Sequence, residues 1–445
     1  MNRTRGAVRD PGKLVDRRAM AACGTFDGIE VSARMERSDV IILGAGMAGS
    51  SLAAELGARN SVLLLEAEDQ PGRHSTGRSA AMFLETYGNA VIRALTRASR
   101  AFYDHPPAGF TDVALLSPRG CLFVADSSQL DLLDAILAEP DMRRTSRRVD
   151  VGEALRMVPI LDPAWVAGAV LDESGFDIDV AALHQGYLRM AKRAGVRLVA
   201  GAGAALVERR GALWQVRSAA GDFEAPVVVD AAGAWADQVA VQAGVRPVGL
   251  QPLRRTAMML PAPAGHDIRE WPLVVGAAED FYFKPDAGQL LLSPANEDPM
   301  PPCDVAPEEL DIAIAVDRFE RATTLHVQRV ARRWAGLRSF VADRTPVVGF
   351  DDAAAGFFWL AGQGGYGIQT APAMARAAAA LVRGEAIPAD IAAEGVRAES
   401  LAPDRGMLFD FKQERPVAFW MKNTKIPLDI LYFDNSWILV GWSLN

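Results

Sequence analysis

Three glycines, Gly44, Gly46 and Gly49, stand in the spacing GxGxxG, and an acid, Glu66, follows twenty residues after the second of them. The first glycine permits a tight turn, the second lets the backbone approach a pyrophosphate, and the third lets a helix pack close against a strand. The acid is then placed to take ribose hydroxyls. By itself such a run also marks ordinary close packing, so its chemistry depends on its flanks. A loop of small and polar residues, HSTGRSAA (74–81), follows Glu66 within ten positions and runs straight into Met82, Phe83 and Leu84. His74 reads either as a catalytic base or as a group on the cofactor side of that loop. Further glycine turns, DAAGAW (230–235) and GQGGYG (362–367), lie far downstream. Backbone N–H groups from several distant loops suit a large, tightly held dinucleotide, which favours FAD over an exchangeable nicotinamide.

The flanking elements fit this chemistry. DVIIL (39–43) is a buried-strand pattern, SSLAAELGA (50–58) continues as a helix, and SVLLLE (61–66) supplies a second strand, a βαβ unit of the expected length. Residues 88–104 and 182–195 have helical spacing, VRLVAG and ALWQVRS read as strands, and 226–244 repeats the order strand, glycine turn, helix. Residues 356–384 close the pattern with a strand, a glycine loop and an alanine-rich helix. Between these pieces, 248–293 and 312–338 alternate apolar and polar residues like an antiparallel sheet, and a segment of mixed short strands is expected after Pro118. The interleaving predicts two lobes, each assembled from discontinuous segments.

With 445 residues the chain can bury large shared cores, and its net charge of −8 argues against nucleic acid as the main partner. The three cysteines, Cys23, Cys121 and Cys303, lie far apart without a CxxC pair or a His/Cys cluster, so neither a disulfide framework nor a metal site is expected. No apolar run reaches the roughly 18 residues that span a bilayer. A reducing, cytoplasmic setting fits best, with peripheral membrane contact left open. Residues 1–36 are arginine-rich and lack a secretory apolar core. They read as a disordered extension; a targeting arm or a read-through of sequence before Met35 are the alternatives.

The stretches GAGMAG, HSTGRSAA, ALHQGYLR, AAGAWAD, FYFKPDAG, WAGLRSFVADRTPVVG and QGGYGIQT make the chain, from about Asp39 to about Arg405, resemble the D-amino-acid oxidase superfamily of flavoproteins, in particular its bacterial FAD-dependent D-arginine dehydrogenases. The resemblance implies an α/β (α+β) two-lobe fold: a glutathione-reductase-like FAD lobe (37–117, 170–235 and 339–404) and an antiparallel-sheet substrate lobe (118–169 and 236–338). It also implies oxidation of a Cα–N bond to an imine, hydrolysed to a 2-oxo acid, with the hydride passing from Cα to flavin N5. No side-chain base is needed, because the neutral amine supplies the electron push. The substrate is a small amino acid, and the electron acceptor (quinone, carrier or O2) is left unidentified.

By the same resemblance, Arg338 holds the substrate carboxylate in a bidentate fork, Tyr282 donates to that carboxylate, Arg255 is a second pocket arginine and Tyr87 a lid tyrosine. Gly365 and Gln369 fall beside the flavin and the substrate amine. The cofactor set comprises Gly44, Gly46, Ala48, Gly49, Glu66, Ala67, His74, Ser75, Thr76, Gly77, Arg78, Ser79, Ala80 and Ala81, with Gly233, Trp235, Gly365, Tyr366, Gly367, Ile368 and Gln369 from the later turns.

Two departures bear on the substrate. Met82 stands where the arginine-specific branch has a histidine, and Cys121 where it has the glutamate for the substrate guanidinium. A buried guanidinium would lack its partner here. Met82, Leu84, Cys121, Leu273 and Val275 are therefore expected to line an apolar pocket for neutral or hydrophobic D-amino acids, unless Glu85 or Asp172 restores a cation site. The alternatives are a glycine- or sarcosine-type amine oxidase of the same superfamily and a catalytically weak flavin-binding protein. Residues 405–445 resemble part of a small uncharacterised bacterial β domain with the signature FWMKNT, and no activity is assigned to them.

Overall fold

The computed structural model describes residues 35–403 and the backbone of two further strands, Ile430–Phe433 and Leu439–Ser443, which pair antiparallel. The rest of the expected β-domain tail and nearly all of the 1–36 extension lie outside the described residues. Glu36, assigned to that extension, belongs instead to a short strand, Glu36–Arg37, paired with Phe223 and Glu224.

The glycine-bearing lobe is built on a six-stranded sheet in the order Arg197–Val199, Val62–Leu65, Val40–Leu43, Val227–Asp230, Phe357–Ala361, Val347–Phe350. All neighbours are parallel except the last pair. Its strands are apolar on both faces because both faces are covered. Val40, Ile42, Val62, Leu64 and Val229 pack with residues of the helices Met47–Gly57, Val180–Arg193 and Ala371–Val382. Their neighbours Ile41, Leu43, Leu63, Leu65 and Val228 pack with Val207, Trp214, Val216 and Phe223 of a second, four-stranded sheet. The alternation of one strand thus builds two cores. Alanine dominates the Ala371–Val382 helix because its buried side, which includes Ala373, Ala377 and Ala378, packs against this sheet's helical core.

The second lobe is a large sheet in the order Asp298–Pro299, Gln251–Leu260, Gln289–Ser293, Tyr282–Asp286, Leu273–Gly276, Cys121–Ala125, Gly168–Asp172, Ser146–Val149, with Arg332–Phe340 also paired to Gln251–Leu260. It is mixed rather than antiparallel throughout, because Leu273–Gly276 runs parallel to Cys121–Ala125. The chain leaves this sheet for the other lobe between those strands, which supplies the long crossover that a parallel pair needs. The Gly168–Asp172 and Arg332–Phe340 strands lie wholly in this sheet, so the segment boundaries expected at 169/170 and 338/339 cut through strands.

Two further sequence expectations fail locally. Residues 312–322 belong to a helix, Glu309–Ala322, and the segment after Pro118 holds the helices Leu130–Ala138 and Val151–Met157 between its strands. In DIAIAV large and small apolar residues alternate, but Ile312, Ala315, Phe319 and Ala322 are the apolar residues buried, and that spacing is helical. This helix covers one face of the sheet, meeting Met258, Phe283, Leu290 and Leu292.

The opposite face looks toward the first lobe. Register brings Met259, Leu291, Lys284, Leu273, Cys121 and Asp172 into one row across it, and Ala257, Tyr282, Val275 and Phe123 onto the same face one pleat away. A three-stranded sheet of Met82–Phe83, Phe176–Ile178 and Leu116–Pro118 closes over this face. Its Asp177, register partner of Met82, receives the buried Lys284 ammonium (2.6 Å) and the Arg119 guanidinium (2.6 Å). Among the described residues no helix is long and apolar enough to cross a membrane.

Candidate active site

A cavity of about 660 Å³ is lined by both lobes. On one side it is bounded by Gly44, Gly46 and Ala48, at the start of the Met47–Gly57 helix, and by Glu66 and Ala67 at the end of the next strand. Gly44 has φ +101°, and a Cβ there would lie 2.5 Å from the Ala231 carbonyl oxygen, so the turn tolerates only glycine. Gly49 lies behind the cavity wall, where a Cβ would run into the Gly44 carbonyl. Gly46 has no side chain to cap the helix, which leaves N–H groups of its first turn beyond Met47 for an anion. Met47 N–H donates to Thr76 Oγ1 (3.0 Å), fixing the polar loop against the turn. Glu66 is buried, its carboxylate accepting from Ala45 N–H (2.8 Å) and Glu68 N–H (3.0 Å). A backbone cradle, a helix N-terminus and a fixed acid together fit the diphosphate and ribose of a dinucleotide.

The loop 74–81 also touches the second lobe. Ser75 Oγ donates to Leu337 O (2.7 Å), Arg78 donates to Ala335 O (3.1 Å) and pairs with Asp304, and Trp334 Nε1 donates to Arg78 O (3.2 Å). All but Asp304 belong to the Arg332–Phe340 strand, so the loop that borders the cofactor side also fixes the strand that carries Arg338. His74, Ser75, Thr76, Arg78, Ser79 and Ala80 line the cavity, as do Gly233, Trp235, Gly365, Gly367 and Ile368. His74 bonds Glu68 through Nε2 (2.8 Å), and its ring lies 4.7 Å from that of Trp235.

Gly77, Ala81, Tyr366 and Gln369 stand outside the wall. Gly77 packs under the Gly72 carbonyl, and Ala81 O accepts from Ile178 N–H in the roof sheet. Gln369 is buried with its amide shared between Leu84 N–H (3.2 Å) and Thr96 Oγ1 (2.9 Å), which ties the roof to the helix Ala90–Asp104. Tyr366 packs edge-on against Tyr87, ring centroids 4.9 Å apart.

Arg255, Tyr282, Arg338 and Gly365 line the other side of the same cavity. Arg338 Nη1 donates to Tyr87 Oη (3.3 Å), which brings that tyrosine to the site although it does not line the wall. A Cβ at Gly365 would lie 2.8 Å from the same Nη1, so glycine there leaves the guanidinium its position. Among the described residues Arg338 has no carboxylate partner. Burial opposes its charge, but the oxygens of Tyr87 and Tyr282 outweigh burial and hold its pKa above the ordinary arginine value. For Tyr282 burial pushes the phenol up, yet the charges of Arg338 and Arg255 and hydrogen bonds with Ser293 and Arg255 bring it below a tyrosine's ordinary value. Arg255 is shifted down by burial and by the Arg338 charge. A charged, enclosed fork beside two phenols has the form of a carboxylate receptor.

Met82, Leu84, Cys121, Leu273 and Val275 do not line the cavity but pack together, with Met259, Leu291 and Tyr282, immediately behind it. Burial, then the charges of Asp172 and Glu279, raise the Cys121 thiol's pKa well above its ordinary value, so it stays a neutral, apolar group. Glu85 faces Arg100 (3.9 Å) and Arg144 (3.8 Å), and Asp172 accepts from Thr86 Oγ1 (2.9 Å) and Ser174 Oγ (2.7 Å), so both acids are engaged locally. Sequence reasoning did not single out Gly364, Glu297 or Arg344. Gly364, also in the cavity wall, has φ +55° and packs on the Phe340 ring; its place in a glycine run was the signal that could have found it. Glu297 carries no motif, and Arg344 lies within the stretch WAGLRSFVADRTPVVG without being singled out there; both become visible only through their contacts with Arg255 and with each other.

The model of the family described as FAD dependent oxidoreductase (DAO) matches residues 39–381. A second model, of an uncharacterised family (DUF192), matches residues 393–443, beginning ahead of the composition change at 405. The tRNA 5-methylaminomethyl-2-thiouridine biosynthesis bifunctional protein MnmC of Burkholderia vietnamiensis is 31% identical over 343 residues, covering 70% of this chain and 48% of that protein. The chain thus spans about half the length of the curated relatives it matches. Among solved structures, glycine oxidase from Geobacillus kaustophilus superposes with a TM-score of 0.68 at 21% identity, over 79% of this chain and 96% of that one. Iminodiacetate oxidase from Chelativorans sp. BNC1 gives 0.69 at 22%, over 82% and 98%.

Proposed function

The chain belongs to the FAD-dependent oxidoreductase (DAO) family, with FAD as its cofactor, and from that premise we propose that it oxidises the Cα–N bond of small D-amino acids with neutral or hydrophobic side chains. The product imine is hydrolysed by water to a 2-oxo acid and ammonia. FAD, when bound, supplies the acceptor for the α-hydrogen and its two electrons. The protein's own contribution is orientation. Arg338 takes the carboxylate in two parallel N–H···O bonds, and the Tyr282 and Tyr87 hydroxyls complete its ligation, so Cα is held at a fixed place and angle. Gly365 leaves room for the substrate at that fork. The observation that carries this reading is the Arg338 guanidinium, enclosed without an acid partner in the same cavity as the glycine cradle. A buried cation is costly unless paired, and a substrate carboxylate supplies the pair.

The preference for D-isomers is supported by the motif likeness to D-arginine dehydrogenases, and that for uncharged side chains by the local engagement of Glu85 and Asp172, the two acids that could have received a substrate cation. A second reading, oxidation of glycine or an N-methyl amino acid, is favoured by the cavity wall stopping at Ala257 and Tyr282 with that cluster packed shut behind it. The tRNA named for the Burkholderia relatives is a polyanion, which a chain of net charge −8 is poorly suited to bind.

Anaerobic addition of substrates to the FAD-loaded protein tests the reading through the flavin absorbance. Bleaching by D-leucine or D-methionine, and not by the L-isomers, is the expected result. Bleaching by sarcosine or glycine alone would move the assignment to the second reading, and no bleaching by any of them would overturn both.

A further inference from the structure

Four charged side chains cluster where the carboxylate receptor meets the surface: Arg338, Arg255 and Arg344 against one acid, Glu297. Glu297 Oε1 accepts from Arg255 Nη2 (3.1 Å) and from Arg344 Nη2 (2.8 Å), and its Oε2 accepts from Arg344 Nη1 (3.0 Å). The side chains form a graded path, Arg344 being 41% exposed, Glu297 32% and Arg255 11%. Arg338 lies innermost.

We propose that Glu297 restricts the enzyme to substrates with a single carboxylate, by holding in an internal ion-pair cluster the two guanidiniums that would otherwise receive a second one. The proposal rests on the reading of Arg338 as the substrate's carboxylate receptor.

Glu297 is held in place by its own loop. Asn296 O accepts from Arg255 Nε (2.8 Å), Asn296 Oδ1 accepts from Thr256 N–H (2.9 Å), and Asn296 Nδ2 donates to Asp298 (2.7 Å). The preceding Ala295 has φ +52° and donates its N–H to Ser293 Oγ (3.2 Å). The loop is therefore stitched to the strand that presents Arg255, which keeps the backbone carrying Glu297 beside that guanidinium. Burial acts upward on its carboxyl, but Arg344, then Arg255 and Arg338, outweigh it and hold the group ionised.

The consequence for selection is a matter of charge. A monocarboxylate needs only Arg338 and the two phenols. A second carboxylate, whether on an acidic side chain or on an N-carboxymethyl group, needs Arg255 or Arg344 and meets Glu297 there as both competitor and like charge. Neutralising Glu297 leaves two guanidiniums without their acid and turns the region into a dicarboxylate site.

The test uses the FAD-loaded protein and two carboxylates that cannot be oxidised, propionate and malonate, titrated through the flavin spectrum. Glu297→Gln should tighten malonate by about 10-fold or more while propionate changes by less than about 3-fold. Adding Arg344→Met to that variant should abolish the gain, and Glu297→Asp, which keeps the charge, should retain the wild-type discrimination. Equal tightening of both ligands, no tightening of malonate, or a gain in Glu297→Asp equal to that in Glu297→Gln would overturn the proposal. Should the wild-type holoprotein bind neither ligand, the receptor reading of Arg338 fails first and this inference falls with it.

Discussion

The two sides of the cavity are built from different materials. On the cofactor side the working groups are backbone: a glycine turn, a helix N-terminus and carbonyls packed so closely that a single methyl group would collide. On the carboxylate side they are long side chains, Arg338, Arg255, Tyr282 and Tyr87, from separate parts of the chain that a sheet and its roof bring together. Backbone recognition fails by collision and tends to fail completely. Side-chain recognition fails by lost bonds and fails in steps. The two sides should therefore respond separately, and differently, to substitution.

The most severe change expected is Gly49→Ala. Its Cβ would strike the Gly44 carbonyl, push the helix off the turn and spoil both the cradle and the packing behind it. The protein should purify without flavin colour, read directly as the ratio of flavin to protein absorbance. Arg338→Met belongs to the other side and should leave that ratio unchanged. It removes the fork and should lower kcat/KM by about 10³-fold, the scale of truncating one partner of a buried charge pair. A colourless Arg338→Met protein would erase the distinction between the two sides.

Tyr282→Phe is milder, about 10-fold in kcat/KM, as befits one hydrogen bond to a charged group. It should also change the pH profile. The Tyr282 pKa is lowered from the ordinary 10.0, so the phenol loses its proton at a lower pH than a free tyrosine and places an anion beside the substrate carboxylate. The wild-type kcat/KM should thus fall on an alkaline limb that begins below 10.0, and the phenylalanine variant should lose that limb. The smallest effect expected is that of Thr76→Val, which removes the acceptor for Met47 N–H while keeping the shape. The lost bond is worth about 1 kcal/mol, so FAD affinity should fall about 5-fold, measured by fluorescence titration of the apoprotein, with kcat at saturating FAD unaltered.

This contrast also explains what could be read from the sequence. The βαβ unit and its glycines are legible because backbone recognition is local: the turn, the helix and the strand that form the cradle are consecutive. The chain's resemblance to a flavoprotein family supplied Arg338 and Tyr282, which spacing alone would not have singled out. The apolar pocket residues were found as a group, since Leu84, Cys121 and Leu273 do pack together, but no sequence pattern says whether such a group lines a cavity or fills it. Gln369 was expected at the cofactor, and instead its amide is spent on Leu84 and Thr96, a choice fixed by tertiary packing. The helix Glu309–Ala322 was mistaken for strand because DIAIAV satisfies a period of two over six residues while its buried positions follow the helical period over fourteen. Glu297 was missed because an isolated charge in a loop looks like any other until its partners are known, and Arg344, although inside a family-like stretch, had nothing there to mark its partner.

The trio Lys284, Asp177 and Arg119 joins the floor of the second lobe to the roof strand beside Met82. Replacing Asp177 alone strands two cations in a largely buried corner, whereas replacing either cation leaves the other still paired with the acid. The acid is therefore the member least free to change by a single step. Lineages that widen or reshape the roof would be expected to lose one of the cations before Asp177, so the order of loss at these positions would record where substrate range has shifted.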